Sequence, residues 1–259
     1  MMPAAGSRGG PRNPARRSGR ERVSGPPGPR KTLAARLRDV SDRLSRRFGR
    51  PRRSAHRTDP LSNLVLTILS QNTTDANRDR AFATLSARFP GITLLAAASQ
   101  EDVEDAIRAG GLARAKAKAI LSTLSRIHRE RGEYSLDFLT GMPLAEARSY
   151  LTSFPGIGVK TANVVLLFSF DKEAFPVDTH ILRVAKRLGL LPPRADLSRA
   201  ALRLEPHVPS GESIPLHINL IRLGRETCKP RNPLCPECPL LPVCPEGRRR
   251  TGKHRSPVR

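Results

Sequence analysis

The sequence contains few aromatic residues, few cysteines and no long apolar run. Tryptophan is absent and aromatic residues make up 4% of the 259 residues, while hydrophobic residues reach 38%. That content is enough for a core of ordinary size. No stretch approaches the roughly 18 uncharged apolar residues that a membrane span needs, so an integral membrane protein is excluded. Four cysteines are too few for a disulfide-dense secreted scaffold.

Acidic residues are also scarce relative to basic ones. Aspartate and glutamate number 23 against 46 lysines and arginines, which gives a formal net charge of +23. Such an excess indicates a polyanionic partner, most simply a nucleic acid. Most of the basic residues are arginines, which bind phosphate through two parallel hydrogen bonds, although genomic composition is an alternative source of the bias.

The two ends of the chain lack any hydrophobic period. Residues 1–31 are dominated by Pro, Gly, Ser and Arg, and residues 246–259 form a second basic segment. Such segments do not bury enough apolar surface to offset the entropy of ordering, so we expect two disordered basic tails. The first tail lacks the apolar stretch of a secretory signal. We expect a cytoplasmic, nucleoid-associated protein, with organellar targeting by the N-terminal tail as the open alternative.

The region between the tails has helical periodicity almost throughout. Leu33, Leu37 and Leu44 lie on one face of a first helix, and Asp59 followed by Pro60 is typical of the start of a second. Further predicted helices span 73–89, 101–109, 112–131, 143–153, 159–170, 178–188, 197–208 and 215–227. Alternating β patterns are absent, so the predicted fold class is all-α, with short turns joining many short helices.

A Pro-Gly-Ile-Gly turn at residues 155–158 separates two of these helices. Gly156 and Gly158 allow the backbone to approach a ligand closely. The N–H groups at the start of the next helix point outward, where the helix dipole favours an anion. A DNA phosphate fits such a site, although an ordinary helix–turn–helix corner has the same pattern.

Lys160 and Asp178 are the candidate chemical groups. Lys160 lies in the first turn of the helix after the glycine turn, where the helix dipole disfavours an ammonium and lowers its pKa. A neutral amine is a nucleophile, whereas the alternative is a solvated lysine that contacts phosphate. Asp178 stands at the start of the next helix. It is either a plain helix cap or a carboxylate that also accepts a proton and stabilises a cationic sugar.

All four cysteines fall within 17 residues with the spacing C-x6-C-x2-C-x5-C, at Cys228, Cys235, Cys238 and Cys244. The segment is too rich in proline to be a helix or a central strand. Disulfides are disfavoured in a chain without a secretory signal. Zinc sites usually use two closely spaced pairs, and only Cys235 and Cys238 form one. The spacing therefore favours a single [4Fe–4S] cluster over zinc.

Together these motifs resemble the endonuclease III family of DNA glycosylases, which carry a helix–hairpin–helix followed by an aspartate. The resemblance covers roughly residues 33–245 and rests on FPGIGVKTANVVL, VDTHILRV, the spacing from Lys160 to Asp178, and the cysteine loop. It implies that Lys160 is the catalytic lysine and Asp178 the catalytic aspartate. It also implies that the four cysteines hold a [4Fe–4S] cluster.

The family binds a DNA phosphate through main-chain N–H groups of its hairpin, which corresponds here to Gly156, Gly158 and Val159. It also fills the gap left by a flipped nucleotide with side chains from two loops. Leu112 matches the inserted leucine of one loop. In the other loop this sequence has Gln71-Asn72 where the best-known members have Ala-Gln, so either Gln71 or Asn72 is the wedge.

The resemblance implies a bifunctional glycosylase and β-lyase that removes oxidised pyrimidines from duplex DNA as a monomer. We expect a six-helix barrel over 56–175 and a cluster domain over 176–245 that packs with residues 32–55, with DNA in the cleft between them. One alternative is a monofunctional adenine or mismatch glycosylase, which would lack Lys160. Another is a DNA-binding module without chemistry, against which Lys160 and Asp178 both argue.

Overall fold

The computed structural model describes residues 31–52 and 59–252. Within these ranges the chain forms helices and turns and contains no strand, as the sequence predicts. The α-helices, in chain order, are α1 (Leu33–Phe48), α2 (Pro60–Leu69), α3 (Asp75–Arg88), α4 (Ile92–Ala96), α5 (Gln100–Ala106), α6 (Ala113–Arg131), α7 (Leu144–Thr152), α8 (Val159–Phe170), α9 (Thr179–Arg187), α10 (Leu197–Leu204), α11 (Ser213–Glu226) and α12 (Pro245–Arg250). No helix in the described ranges is long and apolar enough to cross a membrane.

Several helices begin where a side chain caps them. The hydroxyl of Thr32 accepts a hydrogen bond from a backbone N–H in the first turn of α1, and Thr74 does the same for α3. Asp59 caps α2, whose first residue is Pro60. These residues satisfy N–H groups that have no partner inside the helix, which explains why the helix starts are close to those predicted.

The apolar side chains form two hydrophobic cores. The first core contains buried residues between Leu61 and Ala174, contributed mainly by α2, α3, α5, α6, α7 and α8. The second core begins at Phe175, continues to Leu240, and also includes Leu37, Val40 and Leu44 of α1. The chain therefore leaves the first core and enters the second between residues 174 and 175, just before Asp178. The described residues from Thr32 onward group into a single unit, so the predicted division into a barrel and a cluster domain stays a prediction.

The prediction of a disordered tail over 246–259 is wrong for its first residues, because α12 occupies Pro245–Arg250. The thiol of Cys244 caps this helix by accepting a hydrogen bond of 3.2 Å from the N–H of Gly247. Glu246 pairs with the arginines one turn later, and such pairs stabilise a short helix. Residues 253–259 lie outside the described part of the chain, as do residues 1–30 of the other predicted tail.

Candidate active site

A cleft of about 770 Å³ contains half of the residues predicted to be functional. Its walls come from α2 and the loop after it, α8, the start of α9, and α11. Phe168 in this wall packs against the first core, and Val177 belongs to the second. Six predicted site residues line the cleft: Gln71, Asn72, Gly156, Gly158, Lys160 and Asp178. Leu112, Val159 and the four cysteines are not among its lining residues.

Lys160 is half-buried in the cleft, in the first turn of α8. Burial lowers the pKa of its amine, because desolvation penalises the charged form. The positive charge of Arg78 lowers this pKa further, whereas the carboxylates of Asp178 and Asp75 raise it. The balance favours the neutral, nucleophilic amine more than in an exposed lysine.

Asp178 acts as the helix cap that the sequence allowed as one of its two roles. Its Oδ1 accepts a hydrogen bond of 2.8 Å from the N–H of Ile181 in the first turn of α9. This bond orients the carboxylate toward the cleft that it shares with Lys160. Capping and chemistry are therefore compatible, since one oxygen suffices for the cap.

The glycine turn has the geometry that its sequence indicates. Gly156 has a φ of 77°, a left-handed conformation that residues other than glycine rarely adopt. Gly158 precedes α8, and no side chain caps the N–H groups of that helix. These N–H groups stay available for an anion at the positive end of the helix dipole.

Gln71 is tied to the glycine turn, whereas Asn72 is free of it. The Nε2 of Gln71 donates to the carbonyl oxygen of Gly156 at 3.0 Å and to the hydroxyl of Thr161 at 3.2 Å. Asn72 is exposed and has a φ of 50°. Leu112, in the second predicted wedge loop, has a φ of 51° and is 58% exposed.

His217 is a buried histidine of the cleft that the sequence analysis did not identify. Its Nδ1 donates to the carbonyl oxygen of Pro176 at 3.0 Å. Its ring makes T-shaped contacts with the rings of Phe168 and Phe175. Burial lowers its pKa to about 4, so the ring is neutral at physiological pH. A lone histidine in an apolar stretch gives no sequence signal for this position.

A largely buried ion pair also escaped the sequence analysis. Arg148 in α7 donates to both carboxylate oxygens of Glu205, at 2.6 and 2.7 Å, and each side chain is 12% exposed. Glu205 in turn accepts from the N–H of Phe175 at 2.9 Å. Asn163 completes the network by donating to the carbonyl oxygen of Phe175. The pair thus holds the irregular segment that leads to Asp178.

The four cysteines line one small cavity of about 20 Å³, together with Arg187. The guanidinium of Arg187 donates to the Sγ of Cys228 at 3.2 Å and to the carbonyl oxygens of Lys229 and Pro230. Burial raises the pKa of the Cys238 thiol to about 11. In residues 31–52 and 59–252, no group of three or more His, Cys, Asp or Glu side chains is arranged to hold a single metal ion.

Comparisons with known proteins agree with the sequence motifs. The model of the HhH-GPD superfamily base excision DNA repair proteins matches residues 65–207. Endonuclease III of Thermotoga maritima is 36% identical over 219 residues, which are 84% of this chain and 95% of that protein. An Arabidopsis thaliana protein named as a DNA glycosylase is 40% identical over 171 residues, 65% of this chain but 58% of that protein.

A solved structure of a non-covalent endonuclease III–DNA complex has the same fold. It superposes with a TM-score of 0.72 at 30% identity and covers 86% of this chain and 100% of that chain. The family model, the curated relatives and the fold all agree with the resemblance noted in the sequence. The chain therefore belongs to the endonuclease III family of the HhH-GPD superfamily and is a base excision repair DNA glycosylase.

Proposed function

We propose that this glycosylase removes oxidised pyrimidines from duplex DNA and then nicks the strand by β-elimination through Lys160. The observation that carries this proposal is the position of Lys160. Its half-buried amine has a pKa below the usual range and shares one cleft with the carboxylate of Asp178. A glycosylase that only hydrolyses the bond between the base and the sugar uses water as its nucleophile and needs no lysine at this position.

The first step exchanges the base for the lysine. The damaged nucleotide leaves the stack and enters the cleft, since its sugar is out of reach inside the duplex. The Nζ of Lys160 attacks C1′ while the bond from C1′ to the base breaks, and the base leaves with the electron pair and takes up a proton. Asp178 accepts the proton from the amine, and its charge stabilises the cationic sugar.

The second step breaks the strand. The bond between C1′ and Nζ becomes an imine as the sugar ring opens. Loss of a proton from C2′ then expels the 3′ phosphate, which breaks the C3′–O bond and leaves a nick 3′ to the lesion. Water hydrolyses the imine and frees Lys160 for another turnover.

The DNA contacts follow from the same cleft. The uncapped N–H groups that start α8 bind a phosphate, with Gly156 and Gly158 keeping side chains out of the way. Gln71 holds the turn in place through its bond to the carbonyl oxygen of Gly156. Asn72 and Leu112, which are both exposed, fill the gap left by the flipped nucleotide. The partner is double-stranded DNA with a damaged base or an abasic site, bound by a monomer.

Borohydride trapping tests the role of Lys160. Reduction of the imine leaves the protein covalently attached to a duplex with a thymine glycol or an abasic site. Lys160→Gln is expected to abolish this product while it retains duplex binding, because the hairpin contacts are made by the main chain. Lys118→Gln is the matched control, since Lys118 is an exposed lysine and its loss should leave trapping unchanged.

Two results would contradict the proposal. Normal trapping by Lys160→Gln would place the nucleophile elsewhere. Excision of 8-oxoguanine in preference to thymine glycol would overturn the substrate assignment and leave the lysine chemistry intact.

We also propose that the four cysteines hold a [4Fe–4S] cluster. The donor set fits: four thiol sulfurs line one cavity, and both Arg187 and the N–H of Gly247 donate hydrogen bonds to sulfur atoms there. Such a cluster supplies cross-links within a proline-rich loop, and the base-excision steps need no electron transfer. The four cysteines would therefore fix the loop that follows α11. Arg225 of α11 lines the cleft.

Metal analysis of purified protein decides between the cluster and zinc. We expect about four irons and about four acid-labile sulfides per chain, with a broad absorbance band at about 400 nm. A colourless protein with one zinc per chain would refute the cluster, without affecting the assignment of Lys160.

A further inference from the structure

Lys116 is a buried lysine whose side chain bridges two loops that are far apart in the sequence. It lies near the start of α6 and is 3% exposed. Its Nζ donates hydrogen bonds of 2.8 Å to the carbonyl oxygens of both Leu69 and Gly110. Burial lowers the pKa of this amine. The position is therefore unfavourable for a lysine unless the two carbonyl groups compensate for the lost hydration.

Both acceptors stand immediately before a wedge loop. Leu69 is the last residue of α2, and Asn72 lies three residues beyond it. Gly110 ends a short 3-10 turn, and Leu112 lies two residues beyond it. The backbone N–H of Lys116 also donates to the carbonyl oxygen of Leu112 at 3.0 Å. Lys116 thus contacts the residue that precedes each loop, and it also contacts Leu112 at the tip of the second loop.

The tip of the second loop is held in a conformation that it would not adopt alone. Leu112 has a φ of 51°, where its side chain crowds the following carbonyl group, whereas asparagine adopts such a φ more readily at Asn72. Leu112 is also largely exposed. Strained, exposed residues persist only where the surrounding structure determines their conformation. The contacts of Lys116 are the part of that structure which joins the two loops.

The packing around Gly110 leaves little freedom for the second loop. A Cβ atom added at Gly110 would lie 3.2 Å from the Cβ of Ala81 in α3 and 3.9 Å from the Nζ of Lys116. The loop is therefore confined between α3 and the ammonium group. We therefore expect a change in the length or charge of the side chain at position 116 to move this loop relative to Asn72.

We propose that Lys116 is a positioning residue for extrusion of the target nucleotide. Its two hydrogen bonds set the separation between Asn72 and Leu112, so that both side chains enter the duplex together. This inference rests on the proposed function, because it takes the two loops as the wedges. It adds a residue outside the cleft that acts on the reaction only through the geometry of those loops.

The test compares a reaction that needs the wedges with one that does not. Lys116→Met removes the three N–H donors at nearly the same side-chain length, Lys116→Arg retains donors, and Lys118→Met is the exposed control on the same helix. Each variant is assayed under single turnover for excision of thymine glycol from a duplex. It is also assayed for nicking at an abasic site in single-stranded DNA, where no stacked gap has to be filled.

A third measurement reports wedge insertion without catalysis. The base 2-aminopurine, placed opposite an abasic analogue in a duplex, becomes fluorescent when the wedge residues disturb its stacking. Thermal unfolding of each variant sets an assay temperature at which all of them are folded.

We expect Lys116→Met to slow duplex excision by about 10-fold to about 100-fold, whereas nicking of single-stranded DNA changes by less than about twofold. The fluorescence increase should shrink for Lys116→Met and recover in part for Lys116→Arg, while Lys118→Met should match the wild type. If Lys116→Met does not fold, Lys116→Gln, which retains one donor group, takes its place in the same comparison.

Equal losses in both reactions would overturn the proposal, because a purely structural role lowers both by the same factor. Unchanged fluorescence would overturn it as well. If the wild type fails to nick an abasic site in duplex DNA as well as in single-stranded DNA, the proposed lyase function is wrong. That result is distinguishable from a failure of Lys116 alone, in which the wild type is active and Lys116→Met matches it.

Discussion

Protonation of His217 is expected to destabilise the protein as the pH falls below neutral. In the folded protein, burial lowers the pKa of His217 to about 4, compared with 6.5 for a histidine side chain exposed to water. Its Nδ1 donates to the carbonyl oxygen of Pro176 in either charge state, so protonation loses no hydrogen bond there. The cost arises from burying a positive charge among Phe168 and Phe175, in the same cleft as Lys160.

The direction of the effect follows from which state binds the proton. The unfolded chain takes up a proton on this histidine below pH 6.5, whereas the folded protein takes it up only near pH 4. The contribution of His217 to stability is therefore complete above pH 6.5 and is lost progressively between pH 6.5 and pH 4. The full difference is about 3 kcal/mol, of which about 2 kcal/mol is lost by pH 5.

Urea denaturation of wild type and His217→Gln between pH 7.5 and pH 5 measures this contribution. Glutamine has no charge to gain, so its free energy of unfolding should depend on pH less steeply than that of the wild type. The difference between the two curves should change by about 2 kcal/mol over this range. His207→Gln is the matched control because His207 is exposed, and it should retain the slope of the wild type.

Parallel curves for wild type and His217→Gln would refute the reasoning, since they would mean that His217 titrates alike in the folded and unfolded chains. A steeper curve for His217→Gln would refute it too. Other groups that titrate in this range affect both proteins equally, so they cancel in the difference.

Three further outcomes follow from the structure. Glu205→Gln should lower the free energy of unfolding by about 3 kcal/mol or more in urea denaturation, because it leaves the guanidinium of Arg148 buried beside a neutral group; a loss below about 1 kcal/mol would mean that the pair behaves as a surface pair. Gly224→Ala should lower the melting temperature, since its Cβ would lie 2.8 Å from the Cβ of His180; an unchanged melting temperature would show that α9 and α11 separate without cost. Gly156→Ala should weaken binding to undamaged duplex in fluorescence anisotropy, because φ at this position is 77°; wild-type affinity would show that the turn does not contact phosphate.

The positions of the helices could be predicted because their signals are local. Caps such as Thr32 and Asp59 and breakers such as Pro90-Gly91 act within a few residues of the helix ends that they determine. The helix α12 could not be predicted because its local signal for a helix start is weak. Its cap is the thiol of Cys244, and its composition is that of a disordered basic tail.

Lys160 and Asp178 could be identified from the sequence as candidates that share one cleft, because each stands at a helix start with a recognisable sequence, and their chemical roles stay a prediction. His217, Lys116 and Glu205 could not be predicted in the same way. Each makes at least one contact with a backbone or side-chain group more than 40 residues away, and such pairs leave no periodic pattern in a single sequence. The bonds of Gln71 to Gly156 and Thr161 and the exposure of Asn72 likewise leave no signal in a single sequence, and the choice of Asn72 as the wedge stays a proposal.

Three of the groups that the sequence does not reveal, Glu205, Asn163 and His217, have one consequence in common, which is the placement of Asp178. The N–H and carbonyl groups of Phe175 are bound by Glu205 and Asn163, and the carbonyl of Pro176 is bound by His217. The chain therefore reaches Asp178 along a backbone that is fixed from three different elements. A carboxylate that stabilises a cationic sugar works best when it does not have to reorient during the reaction. The largely buried ion pair and the buried histidine thus restrict the segment that carries Asp178, as its proposed role in the reaction requires.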